Sequence, residues 1–582
     1  MLTRTSLVCA VFALSASGLS CKRSSKSDVP VSLSGPYDPQ GQSGADDLDT
    51  VPIIGGTLFI TRKGMAVISD PDRDRVLFVN ASTMRLEQTV DLSRGDFPGR
   101  ATEDEKGNVY VVLRGEGEVL KMSGEGNVLS TFNTCANPRG IAARDATQEV
   151  LVACADGELL VYSRGGKMRG GAIVAPDLRD IVVTADGSLF VTQFREAKIF
   201  RLNAEYAIEA ELLAPGSADV SGGPLEPRVL WDLVAAPGER LVGLHQHAAS
   251  RELTPPAATP GAPSPTTPTY YGQAGLPVVE PVVTTYGEEG PQESSAVIAE
   301  VLTVDADVEP TSGEVLLVSP GSYTYSVGNA LGRSQYRLTA QPIAGAFFEG
   351  DALIQTREPA ELVLFRDGER IDHVPLGGAD VSSVGHAIFH ATPEGPATAI
   401  TCANCHPEGR DDAHTWNFAG TGLRRTQTLV GGVLEGAPFH WSGDIDDLDH
   451  LMNEVFTTRM GNRELTHAEV KDFATWLDVM PELNNDAKEV DGGVEVFQAA
   501  GCAACHSGER FTNEKNRDVG TGEALQTPSL LGLKHRAPYM HDGCAETLAD
   551  RFDVVCGGNN HGDFDSLTGA QQATLLEYLG TL

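Results

Sequence analysis

Short apolar runs separated by Gly, Asp and Pro dominate residues 52–381. This pattern predicts β-strands joined by tight turns rather than helices. Three segments are visibly related, and they begin at Pro98, Pro138 and Asp177. Each contains a strand, a turn, a second strand, a second turn and a third strand, with a period of about forty residues.

A period of about 40 to 45 residues with several strands per unit is typical of a β-propeller. Residues 52–381 have room for about seven such units. The stretch 252–283 is rich in Pro, Thr, Ala and Gly, and we expect it to be an insertion loop without regular structure. The repeats resemble the YVTN and NHL propellers of exported bacterial proteins. A pair of β-sandwiches would explain the strands but not the period.

The pattern changes after residue 381, where apolar residues recur at spacings of three and four. This spacing predicts helices. The segments 465–480 and 567–582 each open with a Thr that suits a helix N-cap. We expect them to be the closing helices of two sister domains, 382–485 and 486–582.

The N-terminal residues 1–21 have the pattern of an export signal. A positive charge, a short apolar core at 7–14 and small residues lead to Cys21 through Gly-Leu-Ser at 18–20. The core is too short to span a bilayer. The position of Cys21 resembles a bacterial lipoprotein signal. We therefore predict a protein in the periplasm or at the cell surface, attached to the membrane only by a lipid on Cys21. The alternative is a plain secretory signal. Residues 22–51 predict a disordered tether.

The net charge of the chain limits the classes of molecule that it is expected to bind. Acidic residues outnumber basic ones by 80 to 44, which gives a formal net charge of −36. This argues against nucleic acid and anionic membrane surfaces as direct partners. It favours a basic partner such as a small cationic electron carrier, or it serves only to keep the protein soluble.

Two CxxCH motifs, CANCH at 402–406 and CAACH at 502–506, carry the candidate chemistry. Two cysteines at this spacing can reach both vinyl groups of one haem, and the following His then lies beneath the iron. The alternative is a pair of zinc or redox CxxC motifs, which would leave both histidines unexplained. The haem hypothesis assigns the thioether cysteines and the proximal iron ligands to Cys402, Cys405, His406, Cys502, Cys505 and His506.

Four further cysteines form two pairs that are close in sequence. Cys135 pairs with Cys154, and Cys544 pairs with Cys556. In an exported protein such pairs are candidate disulfides.

The C-terminal region is internally duplicated. Gly-Thr-Gly at 420–422 recurs at 520–522, and Ala-Pro-Phe-His at 437–440 recurs as Ala-Pro-Tyr-Met at 537–540. The offset equals the offset between the two CxxCH motifs. The sequence therefore predicts two mostly α-helical cytochrome c domains in tandem.

The duplication also indicates the sixth iron ligands, because Met540 falls where His440 falls in the first copy. Met and His are the usual distal ligands of low-spin haem c, and a thioether raises the reduction potential. We predict a lower-potential haem between His406 and His440, and a higher-potential haem between His506 and Met540. Core packing of Met540 and a structural hydrogen bond of His440 are the alternatives.

The motifs of residues 382–582 resemble the di-haem cytochrome c peroxidase and MauG family. CAACHSGERFT, TPSLLGL and APYMHDGCAETL match its C-terminal half, and GHAIFH, CANCH, RRTQTLVGG and FHWSGD match its N-terminal haem domain. The resemblance implies two covalently bound haem c groups, Met540 as a ligand of the electron-transfer haem, and Trp441 between the haems. It also implies calcium, on residues that the sequence does not identify.

The resemblance further implies reduction of hydrogen peroxide at the His406 haem. Electrons would come from a small donor protein of the cytochrome or cupredoxin type and enter at the Met540 haem. The distal His that leaves the iron would be His440, where the family more often has an aromatic residue, or His414. If His440 stays bound, the protein is a six-coordinate electron carrier whose propeller binds a partner or ligand. Oxidation of a partner's side chains, as in MauG, is disfavoured because MauG has Tyr where Met540 stands.

Overall fold

The computed structural model describes residues 50–219, 223–254, 277–330, 332–392, 400–485 and 488–582. The predicted signal at 1–21, nearly all of the tether and most of the insertion at 252–283 lie outside the described residues. Within those ranges no helix is both long enough and apolar enough to cross a membrane.

The residues up to Pro375 form antiparallel sheets, most of which are built from strands that are consecutive in the chain. Six of these sheets have four strands and one has five. The first sheet contains β1 Leu58–Ile60, β2 Met65–Asp70, β3 Arg75–Asn80 and β4 Arg85–Asp91, and the second contains β5 Pro98–Glu103, β6 Val109–Leu113, β7 Glu118–Met122 and β8 Val128–Asn133. The third contains β9 Pro138–Arg144, β10 Glu149–Cys154, β11 Glu158–Ser163 and β12 Met168–Ile173. The fourth contains β13 Leu178–Val183, β14 Leu189–Gln193, β15 Lys198–Leu202 and β16 Ile208–Leu213.

The remaining three sheets continue the series. The five-stranded sheet leaves out β20 Glu252–Leu253, which pairs elsewhere. The strands of the three sheets are β17 Ser217–Asp219, β18 Gly223–Ala236, β19 Arg240–Ala249, β21 Val279–Gly287, β22 Gly290–Ala296; β23 Asp305–Val308, β24 Val315–Ser319, β25 Thr324–Asn329, β26 Gly332–Arg337; and β27 Pro342–Phe348, β28 Asp351–Thr356, β29 Glu361–Arg366, β30 Glu369–Pro375.

Each sheet has buried inner strands and an exposed outer edge. All five residues of β6 are buried, whereas β8 at the edge of the same sheet is almost wholly exposed. A strand that is covered on both faces tolerates apolar residues at consecutive positions. This explains why the sequence shows continuous apolar runs instead of strict alternation.

The sheets are arranged in a ring. The inner strands contact one another in the order β1, β5, β9, β13, β18, β23, β27, and β27 contacts β1 again. A closed circle of small antiparallel sheets fits a β-propeller. The disulfides Cys135–Cys154 and Cys544–Cys556 are both formed, as predicted from their spacing.

The chain after residue 381 contains short helices and long loops, so the predicted mostly helical character of this region is not confirmed. The α-helices are α1 Val384–His390, α2 Cys402–Cys405, α3 Leu448–Leu451, α4 His467–Asp478, α5 Gly493–Ala499 and α6 Gly569–Leu579, and a π-helical segment spans Met452–Arg459. The short strands are β31 Thr415–Phe418, β32 Gly422–Arg425, β33 Asn516–Arg517 and β34 Leu525–Gln526. Single 3-10 turns occur at Pro407–Gly409, Val433–Gly436, Cys502–Ala504, Leu533–His535, Asp550–Phe552, Val554–Cys556, Gly558–Asn560 and Phe564–Ser566.

The two predicted closing helices are present. Thr466 and Thr568 are their N-caps, and each belongs to a capping box, with Glu469 and Gln571 as the reciprocal residues. Each box satisfies two backbone N–H groups at the start of its helix.

The propeller region and the C-terminal region share one hydrophobic core. Trp231 and Leu253 of the propeller region belong to the same buried cluster as Phe389 and Trp476. In addition, β20 pairs in parallel with β31. The predicted boundary at residue 381 is therefore crossed by continuous packing.

Candidate functional site

The first CxxCH motif lines a cavity of about 360 Å³. Helix α2 is a single turn, and it brings Cys402, Cys405 and the following His406 to the cavity wall. His440 lies on the wall of the same cavity. Neither cysteine is in a disulfide, so both sulfur atoms are available for thioether bonds.

The second motif lines a separate cavity of about 210 Å³. Cys502, Cys505 and His506 contribute to its wall together with Met540. Each cavity thus contains two free cysteines, one histidine of a CxxCH motif and one residue from the 440 or 540 position.

Both motif histidines are held in one orientation by a backbone carbonyl. Nδ1 of His406 lies 3.0 Å from the carbonyl oxygen of Arg410, and Nδ1 of His506 lies 2.9 Å from that of Phe511. A carbonyl can only accept, so Nδ1 carries the proton and Nε2 is left unprotonated. Burial lowers the pKa of both imidazoles, which favours the neutral form that binds a metal. Iron-ligating histidines are typically oriented in this way, so the residues present fit a haem in each cavity.

The two distal residues lie in copies of one loop. His440 and Met540 both have a left-handed backbone, with φ of 66° and 73°. The flanking bridges Phe439–Ile445 and Tyr539–Ala545 are also equivalent. The duplication found in the sequence is therefore repeated in the backbone.

His440 has a carboxylate neighbour. Its Nδ1 lies 3.4 Å from Oδ1 of Asp444, and the hydrogen bond to His440 lowers the pKa of the Asp444 carboxyl. Asp444 lines the first cavity, whereas Glu435, another carboxylate of this segment, does not.

His414 lies outside the wall of the first cavity. Its Nδ1 accepts a hydrogen bond from Arg228 at 3.2 Å, and its Nε2 donates to the carbonyl of Ala249 at 3.0 Å. Both ring nitrogens are thus used in contacts with the propeller region. The hypothesis that His414 is a distal ligand finds no support in this geometry.

Trp441 lies on the walls of both cavities. Its indole N–H donates to the carbonyl of Arg425 at 2.7 Å, and its own carbonyl accepts from the N–H of Gln526 at 2.8 Å. These two bonds hold the indole between the first and second copies.

Two arginines that sequence reasoning missed also line both cavities, namely Arg425 and Arg536. Arg425 donates to Asp411 at 2.7 Å. Burial lowers the pKa of Arg536 to about 10, which still leaves it cationic at neutral pH. Such residues suit the carboxylates of a haem. Their positions depend on long-range packing, and the RRTQ motif was the only signal for Arg425.

His561 was also missed. It lines the second cavity, and its ring centroid lies 6.0 Å from that of His506. Its Nδ1 has no hydrogen-bond partner within the described part of the chain. The first copy has Gly461 at the matching position, so the duplication gave no signal for this residue.

The cysteine geometry bears on the zinc alternative. The two cysteine pairs line different cavities, so they do not combine into a four-cysteine site. Among the described residues, no group of three or more His, Cys, Asp or Glu is arranged to hold a metal ion. The calcium implied by the family resemblance therefore has no assigned residues.

Comparisons with known proteins agree with the resemblance found in the motifs. No family model matches the chain. The methylamine utilization protein MauG of Methylorubrum extorquens is 26% identical over 267 residues, which cover 33% of this chain and 74% of MauG. The chain is thus similar to MauG.

Several solved structures resemble part of this chain. Hydrazine synthase of Kuenenia stuttgartiensis has a TM-score of 0.43 and 12% identity, covering 57% of this chain and 100% of that chain. Virginiamycin B lyase from Staphylococcus aureus has a TM-score of 0.38 and 11% identity, covering 54% and 94%. The Pan2 WD40 domain of Neurospora crassa has a TM-score of 0.38 and 12% identity, covering 55% and 88%. Because these TM-scores are low, the fold assignment is based on the ring of sheets.

Proposed function

We propose, from the similarity to MauG and the two cavities, that the chain is an exported di-haem c-type cytochrome oxidoreductase that reduces hydrogen peroxide with electrons from a small donor protein. One observation carries the proposal. Two adjoining cavities each present a CxxCH motif whose histidine is oriented for iron, and Trp441 lies on the wall of both.

The proposal includes a domain plan. Residues 52–381 form a propeller of seven blades, one for each of the large sheets, and 382–485 and 486–582 form two cytochrome c domains. The chain is placed in the periplasm or at the cell surface, anchored by a lipid on Cys21.

Haem iron, when bound, supplies one-electron chemistry and reduction of the oxygen–oxygen bond. Cys402 and Cys405 would hold one haem through thioethers, and Cys502 and Cys505 would hold the other. His406 and His506 would bind iron through Nε2, because their Nδ1 atoms already donate to carbonyls.

The distal residues give the two sites different roles. Met540 raises the potential of the second site relative to an imidazole ligand, so this site receives electrons from the donor. His440 lies in the first cavity with its Nδ1 toward Asp444. Movement of His440 away from the iron would open this cavity to peroxide. The net charge of −36 favours a basic donor, such as a cytochrome or cupredoxin.

A second candidate function is supported by the same residue. His440 already lies on the wall of the first cavity, as His406 does. If it stays bound to iron, both sites are six-coordinate. The protein would then transfer electrons without turning over peroxide, and the propeller would bind a partner or ligand.

The test is peroxide turnover by the purified holoprotein, first fully oxidised and then with only the high-potential haem reduced. We expect turnover to appear or increase on half-reduction. A variant with Cys402→Ala and Cys405→Ala, which lacks only the first haem, is the control and should be inactive. Low-spin spectra and no turnover in either state would refute the peroxidase proposal and leave the electron-transfer protein.

A further inference from the structure

We propose that the propeller positions the proximal histidine of the first haem, through an arginine cluster that holds the loop directly after CANCH. The arginine cluster consists of Arg114, Arg139, Arg179 and Arg195. The inference rests on the proposed function to the extent that it requires a haem at His406. According to this inference, propeller residues influence the reduction potential of that haem.

Glu408, two residues after His406, is inserted among these arginines and is 5% exposed. One carboxylate oxygen lies 2.7 Å from Arg114, and the other lies 2.7 Å from Arg179. Arg139 is 3.9 Å away. The three arginines come from three consecutive sheets, those of β5–β8, β9–β12 and β13–β16. The position of Glu408 therefore depends on the packing of the propeller.

Asp411 is the second attachment point of the loop and is 1% exposed. Its Oδ1 accepts from Arg195 at 2.8 Å and from Arg425 at 2.7 Å. Asp177 joins the two halves of the cluster, because it accepts from Arg139 at 2.5 Å and from Arg195 at 2.8 Å. The loop is thus fixed on both sides of Arg410.

Arg410 connects this network to the iron ligand. Its carbonyl oxygen accepts the Nδ1 proton of His406, and it lies between Glu408 and Asp411 in the chain. The propeller also reaches the motif itself, since the side-chain amide of Gln246 donates to the carbonyl of Asn404 at 2.7 Å. The helix before His406 and the carbonyl after it are therefore both held by propeller residues.

The second copy has no counterpart of the contact between Glu408 and the arginine cluster. The residue matching Glu408 is Gly508, which has no side chain. Nδ1 of His506 donates to Phe511, one residue further along than in the first copy. The second haem of the same molecule is thus an internal reference.

The physical consequence concerns the reduction potential. A histidine that donates a well-aligned Nδ1–H bond is a more basic ligand, and a more basic ligand favours ferric iron and lowers the potential. Loosening the loop weakens that bond. We therefore expect the potential of the first haem to rise when the arginine cluster is disturbed.

The test is Arg114→Gln in the full-length holoprotein, with both haem potentials measured by spectroelectrochemical titration. Two effects have opposite signs here. Loss of a positive charge alone would lower the potential of the first haem, whereas loss of positioning would raise it. We expect a rise at the first haem and no shift at the second. Arg114→Lys keeps the charge and one contact, and it should restore a potential close to that of the parent protein.

Arg164→Gln is the matched control, because Arg164 is a propeller arginine whose three carboxylate partners, Asp104, Glu105 and Asp145, lie outside the cluster. It should leave both potentials unchanged. A fall in potential, or no change, in Arg114→Gln would overturn the positioning role. If Arg114→Gln does not fold, Glu408→Asp decides, because it keeps the negative charge but shortens the side chain that reaches Arg114 and Arg179. We expect the first potential to rise in Glu408→Asp, and an unchanged or lower value would overturn the inference. Absence of haem from Cys402 and Cys405 in the parent protein would instead refute the proposed function.

Discussion

At the scale of single residues, the main contrast is between His440 and Met540, which occupy the same place in two copies of one loop. Their backbones are both left-handed, and both side chains reach a cavity with a CxxCH histidine. The difference between the two sites is therefore chemical. An imidazole and a thioether stabilise the two oxidation states of iron to different extents.

Met540→His should lower the potential of the second haem toward that of the first. Axial ligands and their surroundings span about 0.8 V of haem potential, and we expect a shift that is a readily measured part of that range. Spectroelectrochemical titration of the holoprotein gives the value. The reverse change, His440→Met, should raise the potential of the first haem. An unchanged potential in Met540→His would show that residue 540 is not an iron ligand.

Trp441→Phe should slow electron transfer between the two sites while leaving both potentials in place. The change removes the indole N–H that donates to Arg425 and leaves that carbonyl without its partner, at a cost of about 1–3 kcal/mol in stability. Trp416→Phe is the control, because Trp416 lines only the first cavity and donates to Thr426 at 2.9 Å. The rate of electron transfer in each variant is measured by flash reduction followed by absorbance spectroscopy. Equal rates in both would assign Trp441 a structural role only.

At the scale of elements, local signals made much of the structure predictable. The repeat period predicted the strands, and Thr466 and Thr568 predicted the starts of α4 and α6. The CxxCH spacing identified the cavity cysteines. In contrast, Glu408 was not identified, because its arginines lie more than two hundred residues away in the chain. The π-helical segment Met452–Arg459 was not predicted either, since its apolar positions lack a marked helical face.

Thr466→Ala should destabilise α4 by about 1 kcal/mol, because the cap of its first turn is lost. The side chain of Thr466 accepts from the N–H of Glu469, and Glu469 in turn accepts from the N–H of Thr466. Amide hydrogen exchange in α4 measures the effect. Thr568→Ala is the matched variant in α6 and should act on that helix alone. Unchanged protection of α4 in the first variant would contradict the capping role.

At the scale of the whole molecule, the ring and the C-terminal region behave as one packed body, since a single core cluster spans both. Polar contacts also join sheets within the ring. Asp307 on β23 accepts from the N–H of Phe347 on β27 at 2.7 Å. Burial raises the pKa of Asp307 from 3.8 to about 6.

This shift makes the stability of the ring depend on pH. A carboxyl with a raised pKa in the folded state binds more protons than in the unfolded state between pH 3.8 and about 6, so stability falls as pH rises through that window. Across this pH window the free energy of unfolding falls by roughly 3 kcal/mol in total, and above the window this contribution no longer changes. Asp307→Asn should remove this slope, as measured by Tm between pH 4 and pH 7 relative to the parent protein. The control is Asp367→Asn, on an exposed turn, which should keep the pH dependence of Tm seen in the parent protein. If the pH dependence of Tm is the same in Asp307→Asn as in the parent protein, the expectation is wrong.

The arginine cluster has a consequence for the order in which the chain matures. Because domains generally fold from the N-terminus during synthesis, we expect the ring of sheets to form before residues 408 and 411 are in place. Without Glu408 and Asp411, the four arginines of the cluster would have only the carboxylate of Asp177 as an ion-pair partner. Separating the chain at residue 381 would leave Arg114, Arg179 and Arg195 without their partners Glu408 and Asp411. The ring of sheets and the C-terminal region therefore depend on each other for the partners of their buried charges, and they are not interchangeable modules.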